Sequence, residues 1–284
     1  MYLIKKCSEV SDTQIFKAFT EGFADYMIQV KMDEISFINR FFGAEGNDRE
    51  LSYIAFREDK PVGIILGGIK TGENFKTLRC GAMALIPKER GTGLAKTLME
   101  LHEKAGIEIE CKQLFLEVID GNDRAIGFYK KMGFEKVYNL TYRSWDLKGK
   151  NPLKIDDNSL EKKVKMMTFD DIYELRKIDL SHLPWQGEFV YFKHLDCHYY
   201  GVKDNGNIVA GITATNTRIF YLWVHPEYRN KGYAKALLNK IITEIKPKVL
   251  RLTYSNNSQI HTFANHYRMK KDPISQVEMY KWLG

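Results

Sequence analysis

Apolar residues come in short blocks along the first half of the chain, and between the blocks they recur every three or four positions. YLIKKC (2–7) predicts a first strand, and a cap-like Ser11 or Asp12 opens a stretch with helical spacing over 11–27. DEISFINRFF (33–42) predicts a second amphipathic helix. Three strand-like runs follow, LSYIAFRE (51–58), PVGIILGGIK (61–70) and TLRCGAMALI (77–86), parted by EDKP and KTGEN, which carry turn chemistry. A helix over about 92–108, a strand QLFLEVI (113–119), a helix NDRAIGFYKKM (122–132) and a closing strand pair around FEKVYNLTYRSWDL (134–147) complete this half.

LKGKNPLKIDDNS (147–159) has no apolar period and carries Gly, Pro and an Asp-Asp-Asn-Ser cluster, which marks a linker. Its core is placed at 149–156, between domains 1–148 and 157–284. After it the order begins again. LEKKVKMMT (160–168) reads as a strand, FDDIYELRKIDL (169–180) as a helix, and 197–224 as three strands with a DNG turn between the first two. HPEYRNKGYAKALLNKIITEI, strand VLRLTYS, helix NSQIHTFANHYRM and a final run QVEMYKWL (276–283) close the second half. ALIPKERGTGLAKTLMELHEK and LWVHPEYRNKGYAKALLNKII share Pro, Arg, Gly, Ala, Lys and the apolar helix positions, at an offset of 139 residues between Arg90 and Arg229. The chain is a tandem repeat of one domain.

At 284 residues, 44% hydrophobic and 28% charged, the composition is that of an ordinary globular protein. A net charge of +7 suits a polyanionic partner, but the lysines are scattered and read equally as a solvated surface. Cys7, Cys80, Cys111 and Cys197 share no metal-ligand or disulfide spacing, which fits a reducing cytoplasm. The seven histidines, among them His194, His198 and His225, lack ligand spacing and most are expected at the surface, so no metal is expected. No signal-peptide core, spanning segment, helix-turn-helix or zinc finger is visible, so neither a membrane nor a nucleic-acid partner is expected.

RGTGLA, Arg90–Ala95, lies where an apolar run gives way to a helix. The first turn of a helix has unpaired N–H donors and the positive end of the macrodipole, so an anion there is stabilised. Gly91, Gly93 and Ala95 keep the backbone bare enough for a pyrophosphate to approach, and Arg90 either contacts it or braces the loop. The competing reading is a tight turn whose small residues serve helix-on-sheet packing. The echo at RNKGYA, again after a strand and before a helix, favours the cradle. No Gly-Lys-Ser/Thr follows and no GxGxxG succeeds a first strand, so P-loop and dinucleotide folds are excluded.

Both halves resemble the GCN5-related N-acetyltransferase (GNAT) family, whose signature is Arg/Gln-x-x-Gly-x-Gly/Ala between the fourth strand and the next helix. The first half adds LFLEVIDGNDRAIGFYKKMGFEKV, similar to the family's second signature. The resemblance covers about 1–148 and 155–284. It implies an α/β fold of two tandem acyl-CoA N-acyltransferase domains, each a mixed, mostly antiparallel sheet flanked by helices. By the same resemblance, Arg90, Gly91, Thr92, Gly93, Leu94, Ala95 and Lys96 would hold the coenzyme A pyrophosphate through main-chain N–H groups. Backbone at Met83, Ala84 and Leu85 would pair with the pantetheine amides, with an N–H near Leu85 meeting the oxyanion. Asn122 would contact the pantetheine arm.

Acyl transfer from a thioester to an amine needs a base for the amine proton, an oxyanion site and an acid for the thiolate. Glu117 is the candidate base, against a strand carboxylate that merely faces water. Tyr129 is the candidate acid, against a core aromatic. Asp25, with Phe23 and Tyr26, could receive an amine, or form an ordinary helix end. The second half keeps a loop, with Val224, Arg229, Asn230, Lys231, Gly232, Tyr233 and Ala234 as possible cofactor contacts. There Glu117 corresponds to Arg251 or Leu252, Tyr129 to Ala264 or Phe263, and Gly133 to Arg268 or Tyr267, so this half is expected to bind coenzyme A weakly or serve as scaffold. The expected activity is acetyl-CoA-dependent N-acetylation of a primary amine by the first half. The alternative is an acyl-CoA-binding regulatory module that turns nothing over. Acceptor identity and oligomeric state are not legible.

Overall fold

The computed structural model describes residues 1–28, 31–70, 75–148, 150–153 and 158–284. The chain runs β1 (Leu3–Lys6), α1 (Asp12–Gly22), α2 (Glu34–Ile38), β2 (Asp48–Arg57), β3 (Lys60–Lys70), β4 (Thr77–Leu85), α3 (Leu94–Glu108), β5 (Gln113–Ile119), α4 (Asp123–Lys131) and β6 (Glu135–Asp146). It continues with α5 (Asn158–Lys163), β7 (Val164–Met166), α6 (Phe169–Ile178), α7 (Phe189–Phe192), β8 (His198–Asp204), β9 (Asn207–Ala214), β10 (Arg218–Val224), α8 (Tyr233–Ile245), β11 (Val249–Ser255), α9 (Ile260–His266) and β12 (Lys270–Trp282). Caps explain the starts of the helices. Ser11 and Gln14 form a reciprocal capping box on α1, and Thr168 with Asp171 does the same for α6.

Two compact units divide the chain, one of Met1–Val137 with Gln276–Gly284, the other of Tyr138–Ser275. In the first, the strand order is β1-β2-β3-β4-β5-β12, with β4–β5 the parallel pair and the other neighbours antiparallel. In the second it is β7-β8-β9-β10-β11-β6, with β10–β11 parallel.

The boundaries expected at 148 and 157 therefore need correction. FEKVYNLTYRSWDL is one strand rather than a pair, and most of it belongs to the second unit, from Leu140↔Ser255 to Asp146↔Val249. The final run QVEMYKWL closes the first unit, from Gln276↔Ile119 to Trp282↔Gln113. Both β5 and β11 have one edge in a parallel pair and a second edge whose backbone groups need an antiparallel neighbour. Either closing strand satisfies either edge, and alternation in the sequence does not record which one it takes. Of the linker at 149–156, residues 149 and 154–156 lie outside the described residues, as do 71–74 of the KTGEN turn. LEKKVKMMT, expected as a strand, is mostly helix α5 followed by the short β7.

The strands of each unit are covered on both faces. In the first unit Leu94, Leu98, Met99 and Ile126 of α3 and α4 pack on Leu114, Leu116, Val277 and Met279. On the other face Ile15, Phe19 and Phe37 of α1 and α2 pack on Ile54, Ile64 and Leu66. In the second unit α8 packs Leu237, Leu238 and Ile241 against Val202, Ile212 and Leu250, and α6 and α7 cover the opposite face. Among the histidines, His102 of α3 is fully buried.

Candidate functional site

β4 and β5 are paired only from Thr77↔Gln113 to Cys80↔Leu116, after which they part. The ladder between β3 and β4 is shifted at the same level, between Leu66 and Gly67, leaving Gly81 as an extra residue. Such a bulge bends its strand. Beyond it Met83, Ala84 and Leu85 stay paired with β3 only. Ile86 N–H donates to Val62 O, so by the alternation of an antiparallel ladder the N–H and C=O groups of Met83 and Leu85 face the open side. This is the edge expected to meet the pantetheine amides.

The loop below this opening has the geometry of an anion cradle. Gly93 is the N-cap of α3 at φ 92° and Gly91 has φ 81°, in the left-handed region that side chains avoid. A Cβ built on either would meet nothing within 4 Å. No side chain caps the helix, so the N–H groups of its first turn point into that open space. The site therefore fits the pyrophosphate of coenzyme A. Leu94 is buried and anchors the turn, while Gly91, Thr92, Gly93 and Lys96 are exposed and Ala95 is half-buried. The Thr92 hydroxyl donates to Glu89 O at 2.8 Å and accepts from Tyr2 at 3.0 Å.

Arg90 braces this loop. Its Nε donates to Leu85 O at 3.2 Å, Nη2 to Gly22 O at 3.3 Å, and both Nη atoms grip the Asp25 carboxylate. Asp25 is thereby paired with Arg90. The guanidinium holds its carboxyl at about 2, well below the usual carboxylate range.

Tyr129 and Glu117 lie at the point where the strands part. Glu117 follows Leu116, the last β5 residue paired with β4, and is half-buried. Tyr129 of α4 packs edge-on to Phe128 and Phe134. Burial pushes its hydroxyl well above the ordinary tyrosine range, with nearby Cys80 and Tyr26 adding to the effect. Cys80, at the last paired position, is itself pushed up to about 12 by burial. Asn122, expected beside the pantetheine arm, stands at the N-terminus of α4. Its side chain caps α4 through Ala125 N–H at 3.2 Å and hydrogen-bonds Tyr26. Tyr26 thus belongs to the site through Asn122 and Tyr129.

The face of the sheet under α1 and α2 carries charges that the sequence reading missed. Glu278 of β12 stands directly opposite Glu117, fully buried, and accepts a hydrogen bond from Tyr280 at 3.2 Å. Arg79 of β4 and Lys70 of β3 are also buried. Arg79 donates to Glu45 O at 2.5 Å and to Asn47 Oδ1 at 3.0 Å, while Lys70 sits 4.8 Å from the Phe115 ring centroid. Gly81 makes room for this cluster, since a Cβ there would lie 2.5 Å from Arg79 Nη1 and 2.1 Å from Asn47 Oδ1. A signal for Arg79 existed, because Arg218 repeats it in the second half at the same 139-residue offset as the loops.

The second unit repeats the frame with other residues at several of these positions. Arg229 Nε donates to Val224 O at 2.9 Å and Gly232 caps α8 at φ 87°. Asn230 takes the place of Gly91 at φ 60°. Leu160 Cδ1 lies 2.9 Å from where a Cβ of Gly232 would be, so this cap is covered where that of Gly93 is open. β10 and β11 part after Ile219↔Leu252, which matches Cys80↔Leu116 and places Thr253, not Arg251 or Leu252, at the position of Glu117. Arg218, the counterpart of Arg79, donates to Thr253 Oγ1 at 2.7 Å. The turns after α4 and α9 align Tyr129 with Ala264 and Gly133 with Arg268. Among the described residues no group of His, Cys, Asp and Glu has the geometry of a metal site, and no helix is long and apolar enough to cross a membrane.

A family model described as the acetyltransferase (GNAT) family matches residues 14–134 and again 168–266. N-alpha-acetyltransferase MAK3 of Arabidopsis thaliana is 31% identical over 93 residues, 32% of this chain and 48% of that protein. Acetyltransferase ECA0875 of Pectobacterium atrosepticum is 32% identical over 95 residues, 34% of this chain and 64% of its own length. The chain thus spans about half the length of the first relative and under two thirds of the second. A GCN5-related N-acetyltransferase from Sphaerobacter thermophilus superposes with a TM-score of 0.69 at 12% identity, covering 99% of this chain and 95% of the other. A tandem GNAT protein from the clavulanic acid biosynthesis pathway gives 0.66 at 10% identity, covering 100% and 98%. At these identities the likeness to the solved structures is one of fold.

Proposed function

The chain belongs to the acetyltransferase (GNAT) family, and from that premise we propose that it transfers an acetyl group from acetyl-CoA to a primary amine, with the first unit doing the chemistry. One observation carries the reading. The open loop at Gly91 and Gly93, the N–H groups of Met83 and Leu85 on the open side of β4, Glu117 and Tyr129 converge on the place where β4 and β5 part, and the second unit lacks counterparts of the last two.

Acetyl-CoA supplies the activated thioester. The first turn of α3 holds its pyrophosphate, with Arg90 keeping the loop in shape. The N–H groups of Met83 and Leu85 orient the arm and polarise the carbonyl. The amine nitrogen forms its bond to the acyl carbon as the carbon–sulfur bond breaks. Glu117 accepts the proton the amine loses, directly or through water, and Tyr129 donates one to the departing sulfur, so that amide and free thiol leave and solvent returns both residues to their starting states. The raised proton affinity of Tyr129 suits this, because a thiolate in the same apolar pocket is subject to the burial that raises Cys80.

The test is thiol release from acetyl-CoA by the purified full chain across a panel of amines. Acceptor-dependent release that Glu117→Gln and Tyr129→Phe slow without loss of acetyl-CoA binding supports the enzyme. Tight binding with no acceptor-dependent release across the panel instead identifies a non-catalytic acyl-CoA-binding module.

A further inference from the structure

We propose that Glu278, brought to the first unit by the C-terminal strand, is a positioning residue for acyl transfer, its charge making Glu117 a strong enough base to take the amine proton. The inference rests on the reading of Glu117 as the base. Directly opposed residues of an antiparallel pair have Cβ atoms about 4.5–5.5 Å apart on one face of the sheet, and like charges there repel. Glu117 and Glu278 are such a pair. The repulsion falls when Glu117 takes a proton, so the neighbouring carboxylate makes Glu117 the better base. Glu278 is fully buried and accepts the Tyr280 hydroxyl at 3.2 Å. Water screens a buried charge poorly, so its effect on Glu117 is strong.

The other charged groups on this face set the limits of the effect. Lys70 of β3 and Arg79 of β4 act in the opposite direction, and Arg79 is held by the carbonyl of Glu45 and by Asn47. The arrangement keeps the face electrically balanced while placing the two carboxylates next to each other at the parting of β4 and β5. A lone carboxylate with the ordinary value near ~4.3 is a poor base for an ammonium proton, and a base is most effective when its proton affinity lies near the working pH. Glu278 supplies that adjustment. The second unit, with Thr253 and Tyr142 at the two positions, has neither carboxylate.

The experiment is the pH profile of kcat at saturating acetyl-CoA and amine for the full chain, its Glu278→Gln, Glu278→Asp and Glu117→Gln variants. The expected wild-type acid limb has a midpoint above about 6. Glu278→Gln, which keeps an acceptor for Tyr280, lowers that midpoint by about one unit or more and slows kcat at neutral pH about three- to tenfold, with the acetyl-CoA KM unchanged. Glu278→Asp restores the midpoint. A midpoint unmoved by Glu278→Gln, while Glu117→Gln abolishes the limb, overturns the role of Glu278 and leaves Glu117 as the base. A limb that survives Glu117→Gln overturns the underlying reading instead. Should Glu278→Gln not fold, the wild-type midpoint decides, since a value near the ordinary ~4.3 overturns the proposal.

Discussion

Arg90 and Asp25 form a two-pronged ion pair, Nη1 to Oδ2 at 2.5 Å and Nη2 to Oδ1 at 2.6 Å, that ties the segment after α1 to the loop before α3. A planar guanidinium fits a carboxylate in this way. The pair positions the loop, and it does so without occupying the space above Gly91 and Gly93. Arg90→Ala is expected to weaken acetyl-CoA binding about tenfold by calorimetry, because the contacts to Leu85 O and Gly22 O go with it. Asp25→Asn leaves those two contacts and costs less than about threefold, in line with the small worth of exposed pairs. The Asp25 carboxyl, held at about 2 in the folded chain, keeps the pair charged above the unfolded value near ~3.9 and releases it only as pH falls toward 2. Binding that lost the contribution of Asp25 between pH 5 and 8 would contradict this.

The two glycine caps make a second comparison. Any side chain at Gly93 is forced into φ 92°, a strain on the order of 1–2 kcal/mol, and it also enters the space assigned to the pyrophosphate. Gly93→Val is therefore expected to abolish acetyl-CoA binding. Gly232→Val meets the same backbone strain against the movable end of Leu160, in a cap that is already covered. It should lower stability while leaving acetyl-CoA binding intact. Calorimetry on the wild type is expected to give one tight site per chain, and two equivalent sites would count against the assignment of the first unit.

The C-terminal strand yields a third expectation. Val277 and Met279 are fully buried in the core under α3 and α4, although they lie over 140 residues beyond that unit's other strands. Met279→Ala should cost about 2–5 kcal/mol, the usual range for emptying a core site. Removal of 276–284 strips β5 of its antiparallel neighbour, and acetyl-CoA binding by the first unit is expected to disappear with it. A truncated chain that still binds acetyl-CoA with full affinity would show that β12 is dispensable.

How far this was legible in the sequence depends on whether the information is local. The capped start at Ser11, the alternation of β2–β5 and the paired loops before α3 and α8 are set by residues within one turn or one strand, and the order of elements in the first half follows from them. The destinations of β6 and β12 are set by which sheet edge is open, a property of the folded chain. That is why Glu278 was missed while Glu117 was not. Arg90 shows the complementary case, where the sequence marks a residue but leaves its task open until its hydrogen bonds to Leu85, Gly22 and Asp25 are known. The counterpart of Glu117 in the second half depended on strand register, and a shift of one residue separated Leu252 from Thr253.

Tyr129 makes no hydrogen bond to another described side chain through its hydroxyl, and its ring is held by Phe128 and Phe134. Tyr129→Phe preserves that packing and removes the donor. The expected result is a kcat lower by about 10²-fold with the acetyl-CoA dissociation constant unchanged, the signature of an acid acting on the leaving group. Because the hydroxyl is raised above its ordinary value near ~10, the acid form persists through mildly alkaline pH, and no basic limb from Tyr129 should appear below about pH 10. Equal kcat in the two proteins would assign the tyrosine to packing alone.

His102 gives a prediction about stability that is independent of the chemistry. Its side chain is fully buried beneath the sheet, and neither ring nitrogen has a hydrogen-bond partner among the described residues. Burial, with a smaller contribution from Arg79, lowers its value to about 3, so the folded chain holds it neutral. The unfolded chain binds a proton near ~6.5, so between those two values the unfolded state carries more protons and stability rises with pH. The contribution is complete above about 6.5 and is lost progressively as pH falls toward 3. Between pH 7 and 4 this amounts to about 2–4 kcal/mol. His102→Leu, which cannot take up the proton, is expected to flatten that part of the stability curve, so that urea denaturation at pH 4.5 favours the variant relative to its difference at pH 7.5. If the two proteins lose stability in parallel over this range, the acid sensitivity of the fold resides in the carboxylates and not in His102.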